Sequence, residues 1–478
     1  MFPLLALWAM NTAFQCEENV MYRTQLIVEP ISHTRRPSAA AASRGAAVMR
    51  WVVATLLLTL LAPAGREVRA TGSTADIVFE WNQILQETVP GPQGPLTPRF
   101  FAMTHIAMFD AINTIEREFE PYRVRLRHWG GGSPEAAAAQ AAHDVLVVIN
   151  PAATATYDAA LGHQLGKKPS TFVRRGAAVG ARVAKEILEW RQSDGWVVSP
   201  FPAYSEPLLP GRWQPTPPNN PVAAFTHLQN AAPMALLTAT QYLPPAPPSL
   251  ASARYAADLN EIRLIGKSDS ATRTGEQTSI ARLWAGIGST GAGTATNFLS
   301  IWNNIGRDVA RERRLSLVET ARVFVLLNVS VHDGLQTTQA SKFVYGLWRP
   351  VTAIRQADSD LNPATDPDPA WLPLLTTPPY PSYAGNMATI GASAARALHL
   401  AFGTNDIPVT VTWRQSAGLP DVSHHFEGFW QAAQEQSESR IYGGIHYRFD
   451  QVAGQQVGRS VADFVFANFI GPRRGWND

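Results

Sequence analysis

The chain has 478 residues, a formal net charge of +2, 45% hydrophobic and 16% charged content, 36 prolines and 34 glycines. That length suits one large domain or two ordinary ones with a real core, and the balanced charge leaves no basic footprint for nucleic acid. The one cysteine, Cys16, excludes a disulfide framework and a thiolate metal site.

Residues 1–48 are mixed in composition and show neither a helical nor a strand period, so they read as a non-native N-terminal extension. Residues 49–70 begin with Met49-Arg50, continue through the apolar run "WVVATLLLTLLAPA" and close on small residues at Val68 and Ala70. This is the pattern of a secretory signal peptide, and the run is short for a membrane span; the alternative is an N-terminal membrane-anchor helix or a buried apolar segment. Met49 is therefore the expected start. The mature chain is expected to begin near Thr71, to be secreted or periplasmic, and to hold no stable membrane insertion after cleavage.

Residues 71–478 read as an all-α region. An N-terminal bundle is expected over about 75–195, a Pro-rich connection over 196–250 and a C-terminal bundle over 251–470. "DIVFEWNQILQETV" places Ile77, Trp81, Ile84, Leu85 and Val89 on one helical face, and "PRFFAMTHIAMFDAINTIE" follows with Phe101, Ile106, Phe109 and Ile112. "SPEAAAAQAAHDVLVVI" opens with Ser133 as N-cap and Pro134 at the first helical position. "FVRRGAAVGARVAKEILEWRQSDG" predicts a long helix ending near Asp194-Gly195. The prolines of 196–250 predict a wrapping loop. Helical text resumes near Ser252, and the final helices are predicted to begin near Asn386, Phe426 and Asp450. Alternating strand patterns are nearly absent. Two packed four-helix-type bundles with a long Pro-rich wrapping loop are the expected architecture.

Three C-terminal stretches carry chemistry. In "KFVYGLWRP", Lys342 and Arg349 are seven residues apart, about 10 Å on a continuous helix, and share a face. Pro350 biases Arg349 out of helical geometry, which lets the guanidinium swing inward. Such a pair alone describes a solvated helix face, but Phe, Val, Tyr, Leu and Trp lie between these cations, and an apolar frame calls for an anionic partner. In "SRIYGGIHYRFD", Gly443-Gly444 breaks the helix between Arg440 and His446, so a loop can bring both to one point. Asp450, four residues after His446, can hold its Nδ1–H and leave Nε2 free. In "PPYPSYAGNMATIGASAA", a proline-rich turn enters a helix at Gly385-Asn386, where backbone N–H groups suit an anion.

The combination of Lys342 with Arg349-Pro350, a proline-rich turn into a helix, and Ser439-Arg440 with His446 and Asp450 resembles the vanadium-dependent haloperoxidase and type 2 phosphatidic acid phosphatase superfamily. "RFFAMTHIAMFDAIN", "YAADLNEIRLIGKSDSATRTGEQTSIARLWAG" and "FEGFWQAAQEQSESRIYGGIHYRFD" resemble its bacterial haloperoxidase-like branch, and the resemblance covers about residues 75–470. It implies vanadate as cofactor, with Lys342, Arg349 and Arg440 on its equatorial oxygens, Gly385 and Asn386 at the helix start, and His446 as axial metal ligand. Asp450 would orient His446, and Asp333 would brace the cations. Hydrogen peroxide and a halide would be the substrates. In the phosphatase alternative a small phosphate ester is attacked by His446. A homo-oligomer is left open.

The middle motif departs from the family pattern. Relatives of this kind usually read Pro-Ser-Gly-His after the lead that "PPYPSY" matches, whereas this chain reads Ala384, Gly385, Asn386 and Met387. The donor serine is Gly385, and the acid–base histidine is Met387. His399 is twelve residues further, about 18 Å along a helix. That distance keeps His399 from substituting, and His424 and His425 are the stand-ins for the missing acid–base group. The departure supports a third reading, a non-catalytic oxyanion-binding protein, because Asn386 can cap a helix but cannot shuttle a proton.

Overall fold

The computed structural model describes residues 75–89, 97–286, 298–413 and 420–473. The expected extension and signal peptide (1–48 and 49–70) lie outside the described residues. The all-α expectation holds. The helices are α1 (Asp76–Thr88), α2 (Thr97–Glu116), α3 (Pro134–Ile149), α4 (Thr154–Leu165), α5 (Thr171–Arg191), α6 (Ala253–Ile265), α7 (Gly275–Trp284), α8 (Phe298–Glu312), α9 (Leu317–Tyr345), α10 (Pro350–Arg355), α11 (Asn386–Phe402), α12 (Phe429–Tyr442) and α13 (Arg448–Asn468).

Short polar side chains set many of the helix starts. Ser133, Ser170 and Ser252 accept backbone N–H bonds at the N-caps of α3, α5 and α6. Thr274 with Gln277 and Ser316 with Glu319 form capping boxes on α7 and α9. The 29 residues of α9 make a rod about 44 Å long, buried along nearly its whole length. Around it pack α2, α11 and α13, and one apolar cluster runs from Ala75 to Ile470.

Helix α1 and its C-cap bury Trp81, Leu85 and Val89 of the face the apolar period suggests, but the helix is rotated away from the two isoleucines. Val78, Phe79, Trp81, Asn82, Leu85 and Gln86 are buried, while Ile77 and Ile84 are only partly so. The reason is polar. Asn82 bonds Asn303 at 2.8 Å and the His105 ring at 3.0 Å, and Gln86 donates to Asn82 at 2.6 Å, so two amides compete with the isoleucines for the interior.

The stretch 196–250 is irregular, apart from a short 3₁₀ turn at Thr226–Gln229, and it wraps α9. Backbone bonds tie it down from Trp213 to Gly346 and from Ala224 to Pro379. Asp333 of α9 receives the N–H groups of Met234, Ala235 and Leu236 at 2.7–2.9 Å. Strands β1 (Val409–Trp413) and β2 (Val422–Phe426) pair antiparallel, Val409 opposite Phe426, so α12 begins at Phe429, three residues after the expected start. Alternating burial along 422–426 marks a half-covered strand that two adjacent histidines had hidden in the sequence.

Two glycines place α13 against α11. A Cβ at Gly454 would lie 2.4 Å from the Gly385 carbonyl oxygen, and one at Gly458 would lie 2.5 Å from that of Thr389. Only hydrogen at these positions lets the two backbones touch. That contact brings the start of α13, with Asp450, beside the start of α11.

Candidate functional site

The expected cations do not share one helix. Lys342 lies in the last turn of α9, which ends at Gly346 in the left-handed region (φ 59°). Arg349 follows as the extended N-cap of α10 (φ −80°, ψ 155°), as Pro350 requires. The bend turns the guanidinium inward: Lys342 and Arg349 have no exposed surface, and Arg440, in the last turn of α12, retains 7%. Gly443 and Gly444 (φ 77°) then end α12 and deliver His446 between α12 and α13.

Arg349 is the organiser. Its Nε donates to the Tyr380 carbonyl at 2.8 Å, and its Nη1 donates to the Ile445 carbonyl at 2.9 Å and lies 3.1 Å from His446 Nε2. On the other side of the ring, His446 Nδ1 lies 2.8 Å from Asp450 Oδ2. The carboxylate is an acceptor, so Nδ1 carries the proton and Nε2 keeps its lone pair. Ser382 also donates to Asp450 Oδ2, at 2.6 Å, with its hydroxyl 3.4 Å from Nδ1. Lys342 Nζ donates to the carbonyl oxygens of Ser382 (2.9 Å) and Ala384. Arg440 Nε donates to Ser439 Oγ at 3.0 Å.

The Tyr380 ring lies 5.4 Å from Lys342 Nζ and 5.1 Å from the Arg349 guanidinium carbon, within cation–π range. The Asn386 amide reaches the Tyr380 hydroxyl. Gly385 is the N-cap of α11, and its N–H is used on the Asp450 carbonyl at 2.9 Å. The open end of α11 therefore begins at Asn386. Arg349 Nη2, Arg440 Nη2, Asn386 Oδ1 and Gln451 Nε2 are buried and have no hydrogen-bond partner among the described residues.

Burial and charge act together on titration. His446 is held well below the usual imidazole range by burial first, then by Arg349, Lys342 and Arg440. Burial pulls the Lys342 ammonium well down, and Arg349 adds to the effect. Burial lowers Arg349 and Arg440 to about 10, which leaves both protonated. The Asp450 carboxyl is raised by burial against the pull of Ser382 and the cations. A neutral imidazole facing two half-satisfied guanidinium groups is a receptor for an anion that can also take a lone pair. Vanadate meets both requirements, and this donor set fits it.

Lys342, Arg349, Arg440, His446, Asp450, Gly385 and Asn386 are thus brought to one place. Asp333 is not: instead of bracing the cations it holds the turn at 234–236, and His332 Nδ1 lies 2.7 Å from its Oδ1. The backbone N–H groups of that turn outcompete a distant guanidinium for a carboxylate on the far side of α9. His424 pairs with Glu435 and His425 with Thr410 on the hairpin, and neither has a hydrogen bond to the cation cluster. Met387 is half-buried, with its sulfur 3.8 Å from Gln436 Nε2. Sequence reasoning missed Ser382, Tyr380 and Gln451. The first two stand inside the "PPYPSY" lead, and the third directly follows Asp450.

A family profile described as the VCPO second helical-bundle domain matches residues 322–472, the stretch that holds every one of these side chains. Vanadium chloroperoxidase of Curvularia inaequalis is 26% identical over 241 residues, an alignment spanning 40% of this chain and only 38% of that enzyme. A bacterial vanadium-dependent iodoperoxidase superposes with a TM-score of 0.67 at 23% identity, covering 84% of this chain and 97% of that one. A holo-type bacterial vanadium-dependent chloroperoxidase superposes with a TM-score of 0.62 at 15% identity, over 80% and 93% of the two chains. The chain thus has the fold of the bacterial vanadium haloperoxidases, and its C-terminal helices match the VCPO second helical-bundle domain.

Proposed function

We propose that the protein binds vanadate at Lys342, Arg349, Arg440 and His446 and carries out peroxide-dependent halide oxidation, slowed by the loss of an acid–base residue at position 387. The observation that carries this reading is the pair of unpartnered guanidinium nitrogens, Arg349 Nη2 and Arg440 Nη2, buried around an imidazole whose Nε2 holds a lone pair. Bound vanadate supplies the activation of hydrogen peroxide toward two-electron oxidation of a halide. The chain's residues do the rest. Asp450 fixes the imidazole tautomer, and Ser382 holds Asp450. Arg349, Arg440 and Lys342 balance negative charge in a water-poor site, where fixed cations act most strongly.

Phosphate meets the same cations, so the phosphatase reading shares the geometry. Met387, held against Gln436, favours a weakened catalyst over an efficient one of either kind. Calorimetric titration with orthovanadate and with phosphate, followed by a halide-oxidation assay, separates the readings. Micromolar vanadate binding with peroxide- and halide-dependent turnover is expected. Arg349→Ala with Arg440→Ala should weaken binding at least a hundredfold, the scale of two charge-assisted bonds. Equal affinity in wild type and that double variant would overturn the assignment.

Export through residues 49–70 belongs to the same proposal. N-terminal sequencing of the natural protein should find a chain starting near Thr71 or shortly after Ala64, and recovery of a cytoplasmic chain intact from Met1 would refute it. Among the described residues no helix is long and apolar enough to cross a membrane.

A further inference from the structure

We infer that the side-chain amide of Gln451 donates to the bound oxyanion, taking the place of the side chain that position 385 lacks; the inference rests on the oxyanion reading above. A Cβ at Gly385 would lie 2.8 Å from Gln451 Nε2, 2.9 Å from its Oε1 and 3.0 Å from its Cδ. The room into which a residue-385 side chain would project is therefore filled by an amide arriving from another helix. Gln451 reaches it from the first turn of α13, beside Asp450, and is 2% exposed.

Its hydrogen bonding is incomplete in one direction only. The Ser437 hydroxyl donates to Oε1 at 3.5 Å, which turns the NH₂ group away from Ser437, and Nε2 has no acceptor among the described residues. A buried amide donor without an acceptor is costly, and proteins rarely keep one unless a ligand or water completes it. The same neighbourhood holds Asn386, the first residue of α11, and the Asp450 carbonyl that receives the Gly385 N–H. A neutral donor is what this place calls for. It meets an oxyanion oxygen without adding a fourth buried cation to Lys342, Arg349 and Arg440.

Gln451 thus supplies a donor that a glycine at 385 cannot. The test uses the full chain and isothermal titration with micromolar orthovanadate and, separately, inorganic phosphate. Gln451→Leu keeps most of the bulk of the side chain and removes the donor. Its affinity for both ions should fall about ten- to hundredfold, the range of one hydrogen bond to a charged acceptor. Its melting temperature without oxyanion should fall little, because Nε2 has no protein acceptor to lose and the one bond removed, from the Ser437 hydroxyl to Oε1, is long at 3.5 Å. Gln451→Ala should bind weakly as well. Adding Gly385→Ser to Gln451→Ala should bring affinity back to within about threefold of wild type, since the hydroxyl enters the vacated room. Wild-type-like affinity in Gln451→Leu, or a double variant no tighter than Gln451→Ala, would overturn the role of Gln451 alone. A wild type that binds neither ion would instead overturn the oxyanion site itself.

Discussion

Met387, which stands where the family resemblance would put an acid–base histidine, is packed against the core. Its sulfur contacts Gln436, whose Oε1 accepts the Trp302 indole N–H at 2.8 Å, so the thioether is part of a packed arrangement and not a loose substituent. Met387→His should raise halide oxidation at least tenfold, a discounted share of what one acid–base group contributes. An imidazole beside three cations titrates below its ordinary range, and its protonated form is populated only below that pKa. The gain should therefore be greatest at mildly acidic pH. Adding Gly385→Ser should bring little more, because the new Cβ meets the Gln451 amide, which must swing aside first. If wild type already turns over rapidly and Met387→Ala matches it, another group delivers the proton. Ser382 works at one remove. Ser382→Ala should leave Asp450 with one donor fewer and reduce vanadate affinity severalfold, while a fall in melting temperature with no change in affinity would restrict it to a folding role.

At the scale of elements, the site depends on how α9 is held and where it stops. Asp333 is fully buried and receives three N–H groups from the wrapping loop, while Gln336 donates to the carbonyls of Leu228 and Ala231. Asp333→Ala would leave those N–H groups buried and unpaired, at a cost of about 3 kcal/mol or more. Urea denaturation should report this loss, and limited proteolysis should cut the variant first within 196–250. The stop itself is Gly346. Its positive φ strains any other side chain, and a Cβ there would collide with the Glu206 carboxylate. Gly346→Ala should lower stability by about 1–2 kcal/mol and weaken vanadate binding, because Lys342 and Arg349 lie on either side of the bend.

Across the whole molecule, the interior is not uniformly apolar. His105 of α2 stacks on Phe324 of α9 at 5.0 Å and joins Asn82, Asn303 and Asn328 in a buried network. Burial lowers its pKa to about 4, against the small opposing effect of the Phe101 carbonyl. Below an ordinary imidazole pKa of about 6.5 the unfolded chain takes a proton that the folded chain refuses. Stability is therefore lost as pH falls from about 6.5 toward 4, by about 3 kcal/mol from this group, and no further below that. His105→Gln removes the titration, so the difference in melting temperature between wild type and variant should shrink across that window. A constant difference from pH 7 to pH 4 would show that the ring titrates normally.

Local chemistry was legible in the sequence wherever a short segment contains its own cause. The Ser and Thr caps, the apolar periods, Pro350 before a helix and the glycines after Tyr442 define elements within a few residues, because capping and backbone sterics act over one turn. Charge in an apolar frame marked Lys342 and Arg349 as residues needing an anion, and the spacing of Arg440, His446 and Asp450 marked the imidazole. Tertiary structure alone decided which atoms fill the remaining space. Neither the rotation of α1, nor the turn that claims Asp333, nor the amide that fills the room beside Gly385 is written in any one segment. Each depends on backbones meeting across dozens of residues, as α13 meets α11 at Gly454 and Gly458. Close packing makes the occupant of a buried space a property of the crossing, not of either helix.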